Sequence, residues 1–350
     1  MKDSKLTGTR ALLAFVAVFA SVTCLLWSVG QILGRPTAHA GAAKRPRVIV
    51  LHGFSLVDDV LTQAVFPAFQ ARWRKEHGEE IALDGHFANL GKVTNDLAAG
   101  ASADIAVLSA EIGVAELVAA GVVSAERQEK LPNRGVFGRS PVVIVTREGN
   151  PKGVRDFEDL ARPGIQLVQP DPATSGSALW IVLAEFGAGK RRDGSFKDGR
   201  AQILGIRRNM VGKAASALEA RTLFEGGLGD ALVTLEQDVL QSLQHGRLHG
   251  EIVYPRSTIV SEPSLAIMEK SLMSSERRAL VLDFAGYFWS TETQQILQSH
   301  GFRAVQETGE AEARRFQRIE DPFLIQDLGG WKVAKREIVD GIWLNRATGQ

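Results

Sequence analysis

The residues best placed to do chemistry lie in one stretch, Gln169-Pro170-Asp171-Pro172-Ala173-Thr174-Ser175-Gly176-Ser177-Ala178-Leu179-Trp180. A strand pattern ends here, two prolines fix a turn, and a Thr/Ser/Gly cluster leads straight into an apolar helix. The backbone N–H groups and hydroxyls of Ser175, Gly176 and Ser177 therefore fall at a helix N-terminus. Such an end carries unpaired donors and a partial positive charge, so it can bind an anion without any Lys or Arg. The same residues also make an ordinary N-cap, and the local sequence fits both readings. A second strand-to-helix loop, Gly85-His86-Phe87-Ala88-Asn89-Leu90-Gly91-Lys92, has the outline of a phosphate-cradling loop. Five residues separate its glycines instead of four, and Val93 stands where a magnesium-holding Ser or Thr would be, which excludes that use. The loop remains a second source of donors, around Asn89.

Other constellations are weaker. His52-Gly53 follows a strand, as in the oxyanion-hole turn of α/β-hydrolases, but that chemistry needs a Gly-x-Ser-x-Gly elbow, which the chain lacks. An exported serine hydrolase survives only as an outlying alternative. His245 and His249 have i,i+4 spacing, yet Gly246 lies between them and no Glu adjoins them, so they read as a solvated pair. No Asp/Glu cluster has metal-loop spacing, and no metal, cofactor or catalytic residue is expected.

The elements that must position these residues alternate. Arg47–Leu51, Ile81–Leu83, Asp104–Leu108, Pro141–Thr146, Ile165–Gln169, Asp230–Leu235 and Glu251–Tyr254 read as strands. Helical spacing links Leu61, Ala64, Val65, Ala68, Phe69 and Trp73, with Pro67 expected to kink that helix or reset its start. Lys92–Ala99, Ile112–Ala120, a segment opening near Ser177, Ala214–Phe224 and most of the tail from Ser275 also read as helices. The charged, Gly-rich segment Gly189–Gly199 reads as a surface loop. Strands alternating with helices imply an α/β architecture with largely parallel sheets.

Of 350 residues, 45% are hydrophobic and 23% charged, with a net charge of +1, so the chain can build a large core and lacks the basic excess of a nucleic-acid binder. Lys2, Lys5 and Arg10 precede an uncharged run, Ala11 to Gly34, and then Ala38-His39-Ala40, which suits signal-peptidase cleavage before Gly41. Residues 1–40 are therefore expected to be a signal peptide and the protein to be periplasmic; left uncleaved, the same run is long enough for a membrane anchor. Cleavage removes four basic residues, one acid and the single cysteine, taking the net charge to −2 and leaving no disulfide. The residues before Cys24 are Ser-Val-Thr, unlike a lipoprotein attachment site.

Several strings, in order, resemble the sulfate/thiosulfate-binding protein family, the solute receptors of bacterial sulfate ABC importers. They are Lys130-Leu131-Pro132-Asn133, Val143 to Lys152, Asp156-Phe157 with Asp159-Leu160 and Pro163-Gly164, Gln169 to Pro172 with Thr174-Ser175-Gly176, Ala178 and Trp180, then Gly227-Leu228-Gly229-Asp230 with Glu236, Ser261-Glu262-Pro263, and Gly329-Gly330-Trp331. The resemblance implies a two-lobed periplasmic-binding-protein fold of type II that closes on a dehydrated oxyanion in a cleft between lobes. Lobe 1 is expected from residues 44–139 and 255–350, lobe 2 from residues 140–254. It implies ligand contacts at Ser175, Gly176, Ser177, Ser55 and Asn89, permease subunits as partners, a monomer, and no enzymatic activity. Leu56, Leu90 and Leu235 depart from the family pattern, where a first-strand Ser-Tyr-Asp, a loop serine and a tryptophan usually stand, and Glu219 is expected near the pocket. The same scaffold holding a different anion, or sensing a ligand for a partner protein, stays open.

Overall fold

The computed structural model describes residues 46–306 and 315–345, all within the compact unit Pro46–Gln350. The expected signal peptide lies outside the described residues.

Along the chain, β1 (Arg47–Phe54) leads through helical turns into α1 (Phe66–His77), followed by β2 (Ile81–Ala88), α2 (Leu90–Ala98), β3 (Ile105–Leu108), α3 (Glu111–Ala119) and α4 (Ala125–Lys130). Then come β4 (Ser140–Thr146), β5 (Leu167–Pro170), α5 (Gly176–Asp193), α6 (Phe196–Arg208), β6 (Met210–Ala214), α7 (Ala217–Glu225), β7 (Ala231–Leu235), α8 (Glu236–Gln244), β8 (Glu251–Val253) and β9 (Ser257–Ser261). Last are β10 (Ser264–Ile267), α9 (Ser275–Tyr287), α10 (Thr291–Ser299), β11 (Asp321–Phe323) and a helical run over Gly330–Val333 and Ala334–Trp343.

Two sheets result. The smaller has the order β10-β3-β1-β2, with β1 parallel to both neighbours and β10 antiparallel to β3. The larger has the order β11-β9-β4-β7-β5-β6, with β8 also on β4; β7, β5 and β6 run parallel and β4 opposes β7. The expected α/β class with parallel strands is observed. Strand pairing does not divide at Tyr254, however, because β9 and β11 join the larger sheet while β10 joins the smaller; the final helix packs on α5 and α6.

The chain passes between the sheets beside Phe137–Ser140 and Ser261–Ser264, which bridge each other at Ser140↔Ser261 and Val136↔Ser264. Beside them lies Arg303, which bridges Arg139. There the guanidinium of Arg303 grips the fully buried Glu236 with two bonds of 2.7 and 2.8 Å.

Local chemistry explains the departures from expectation. Leu61, Val65, Phe69 and Trp73 are buried as their spacing requires, and Pro67 stands in the first turn of α1, so the α-helix starts anew at Phe66 as expected. A π-type turn over Leu61–Val65 precedes it, and the wider turn accommodates the missing N–H and bulky ring. Gly189–Gly199 is not a loop. The α5 helix continues through Lys190, Arg191 and Arg192, whose charges complement its C-terminal carbonyls, and stops at Gly194 with φ 87°. Ser195 then caps α6 at once.

Within α5, Glu185 is fully buried, and although Gln169 of β5 is its polar neighbour, neither carboxyl oxygen gains a hydrogen bond. Burial pushes this carboxyl well above its ordinary value of 4.5. The folded chain thus keeps a proton that the unfolded chain releases, so stability is full below about pH 4.5 and falls as pH rises towards the folded value. Glu185→Gln should leave urea stability nearly unchanged at about pH 4 and raise it at about pH 8. Equal effects at both values would contradict the account.

Candidate functional site

Strands β1, β2 and β3 of the smaller sheet and β5, β6 and β7 of the larger each end where a helix or helical turn begins. Between them lies a cavity of about 220 Å³. From the smaller sheet it is lined by Phe54, Ser55 and Leu56 after β1, by Ala88, Asn89 and Leu90 after β2, and by Ser109 after β3. From the larger sheet it is lined by Ser175, Gly176 and Ser177 after β5, by Ser216, Ala217 and Leu218 after β6, and by Leu235 after β7. Asn89, Ser175, Ser216 and Leu235 are the N-cap residues of α2, α5, α7 and α8. Carboxyl ends of parallel strands are where α/β sheets bind ligands, because helix N–H groups start there.

All five residues singled out by sequence, Ser55, Asn89, Ser175, Gly176 and Ser177, therefore line one cavity. Their roles differ. Ser175 holds the N-cap position, but its hydroxyl does not cap α5; it shares a 2.8 Å bond with the Ser177 hydroxyl, and both side chains are buried. The turn is instead closed by Asp171, whose carbonyl accepts from the N–H groups of Thr174 and Ser175 at 3.0 and 2.9 Å. Asn89 does cap, accepting from the Lys92 N–H at 2.8 Å, and Ser216 likewise accepts from Glu219 at 3.1 Å. Glu219 lies next to the lining residues Ser216, Ala217 and Leu218 without lining the cavity itself, and its carboxylate accepts from the Ala215 N–H at 2.7 Å.

Three features escaped the sequence reading. Ser109 is buried at 5% exposure and its hydroxyl has no hydrogen-bond partner, while its carbonyl accepts from the Trp180 indole at 2.8 Å. Its position directly after the Asp104–Leu108 strand pattern was a usable signal. Arg221 and Asp238 form a buried ion pair, with Thr234 donating to the same carboxylate at 3.1 Å. Burial still pushes Asp238 above the usual carboxylate range, against the pull of Arg221. Arg247 reaches Asp59 at 3.0 Å, joining residues from the two sides of the cavity. Partial burial and then Asp59 push Asp58 upward too.

The remaining candidates lie elsewhere. Lys92 pairs with Asp96 at 2.8 Å, and Gly85 sits inside β2. His52 faces His86 across β1 and β2 with ring centroids 4.9 Å apart, and burial, then His86, lowers its pKa; no described serine hydroxyl bonds to it. His245 and His249 are both exposed, and His249 pairs with Glu225. Among the described residues, Glu76, His77 and Asp283 could meet a cation, but Arg72 pairs with both carboxylates.

Two sheets with a ligand-sized cleft at their strand ends define a binding protein of the two-lobed, type II periplasmic class. A family model described as "bacterial extracellular solute-binding protein" matches residues 61–303, and the chain belongs to that family. It is 26% identical over 336 residues to a sulfate-binding protein of Synechococcus elongatus, covering 95% of each chain. It is 27% identical over 316 residues to a thiosulfate-binding protein of Pseudomonas aeruginosa, covering 89% of this chain and 95% of that one. The solved structure of the sulfate-binding protein SubI from Mycobacterium tuberculosis superposes with a TM-score of 0.74 at 28% identity, over 83% of this chain and 98% of that one. No helix among the described residues is long and apolar enough to cross a membrane.

At Gly176 the two sides lie in close contact. A Cβ there would lie 2.2 Å from the Ser109 hydroxyl oxygen and 2.9 Å from Leu90 Cβ. Gly176→Ala should therefore cost about 1–3 kcal/mol by overpacking, read from urea denaturation. Unchanged stability would show that α5 does not sit against Ser109.

Proposed function

We propose that this chain is the extracytoplasmic receptor of an ABC importer and captures sulfate, thiosulfate or a related sulfur oxyanion. One observation supports the reading above all others: helix N-termini from both sheets open onto one cavity whose lining arginines already have carboxylate partners. An anion bound there is held by peptide N–H groups and hydroxyls. Ser175, Gly176 and Ser177 supply the central donors, with Ser55 and Asn89 contributing from the opposite side. The two sheets form the cores of two lobes, and closing them around the anion creates the surface that permease subunits read. The protein acts as a monomer without catalysis, and export follows cleavage of residues 1–40.

Buried charge is tolerated only when donors surround it. Removing one donor to a charged group costs about 1.5–3 kcal/mol, which is roughly ten- to a hundredfold in affinity. Ser175→Ala and Ser177→Ala should each weaken oxyanion binding by that factor in calorimetric titration with sulfate, thiosulfate, molybdate and phosphate. The absence of heat from sulfate and thiosulfate at millimolar concentration would defeat the ligand assignment.

A further inference from the structure

We infer that the cavity suits a singly charged sulfur oxyanion bearing one apolar substituent, an organosulfonate or a sulfate monoester, better than the bare dianion. The inference rests on the oxyanion-receptor reading and narrows its ligand class.

Size is the first ground. The cavity measures about 220 Å³, whereas a five-atom tetrahedral oxyanion fills on the order of 60–70 Å³, about twice the share of a water molecule. A bound sulfate leaves more than half of the space over.

The second ground is the mixed make-up of the wall, in which Leu90 packs beside the same Gly176 as the Ser109 hydroxyl. The hydroxyls of Ser175 and Ser177 bond each other, and the Ser109 hydroxyl lies beside the intervening Gly176, buried with no partner of its own. A buried hydroxyl without a partner costs free energy until a ligand answers it. Leu56, Leu90 and Leu235 also line the cavity and offer nothing to an oxygen atom. Hydrocarbon against these three side chains gains what a water shell or an oxyanion loses.

Charge is the third ground. Lining carboxylates Asp58, Asp59 and Asp238 outnumber the lining guanidiniums of Arg221 and Arg247. Arg221 is taken up by Asp238 and Arg247 by Asp59. The excess of one carboxylate repels a dianion twice as strongly as a monoanion at the same distance.

The test is calorimetric titration of the protein with sulfate and with methane-, ethane-, propane- and butanesulfonate. Affinity should rise about fourfold per methylene along the series, and butanesulfonate should bind more tightly than sulfate. Sulfate binding with a flat or falling sulfonate series overturns this inference and leaves the receptor reading intact. Silence from sulfate and every sulfonate overturns both. Leu235→Trp, which takes up spare cavity volume with a larger side chain, should weaken butanesulfonate about tenfold or more and affect sulfate far less; Leu56→Phe makes the same test should the first variant fail to fold. Equal effects of either folded variant on both ligands also overturn the inference.

Discussion

A helix that starts at the end of a strand has N–H groups with no partner, and this structure directs most of that shortage into one place. The parallel strands β1, β2 and β3 of one sheet and β5, β6 and β7 of the other all end at the same cavity. Ser216 and Asn89 satisfy part of the local demand by capping their own helices. Ser175 does not, because its hydroxyl is turned to Ser177. Among the described residues the longest helix, α5, thus presents its first N–H groups without help from its own cap.

Electrostatic economy follows from that arrangement. A free guanidinium in the cleft would bind any anion and hold it tenaciously. Here Arg221 and Arg247 are instead bound to Asp238 and Asp59, so they shape the wall and contribute little net attraction. The exposed Arg247–Asp59 pair is of the kind worth about 0–1 kcal/mol, whereas the buried Arg221–Asp238 pair is dangerous to break, since a lone buried charge costs about 3–5 kcal/mol. One contact is suited to opening and closing, the other to permanence.

Much of this was legible in the sequence because it is local. The Gln169–Trp180 stretch contains strand end, turn and helix start within twelve residues, and each signal agrees with the others. Strands with apolar runs, such as Ser140–Thr146 and Ala231–Leu235, were found near their true bounds. What stayed hidden depends on distant partners. The segment Gly189–Gly199 has loop composition, but Arg191 meets Asp321 at the far end of the chain and Gly189 packs on Gln202, so helix persists almost throughout. Strands β9 and β10 are five and four residues long and exist because they pair with β4 and β3. Ser109 looks like any loop serine until α5 is laid against it. The arginine–carboxylate pairs connect residues 17 and 188 positions apart, and no spacing rule reaches the second.

The repeated passage of the chain between the sheets has a consequence for biosynthesis. Strand β3, whose four residues are all buried apolar, receives its outer neighbour β10 only after 155 intervening residues, Ser109 to Pro263, have been made. Until then the emerging polypeptide carries an unprotected hydrophobic edge, the feature that invites pairing with foreign strands. Neither half is a continuous stretch of gene, so nature cannot trim, swap or duplicate one of them as a cassette. The architecture is inherited whole, and that edge stays open for most of the chain's synthesis.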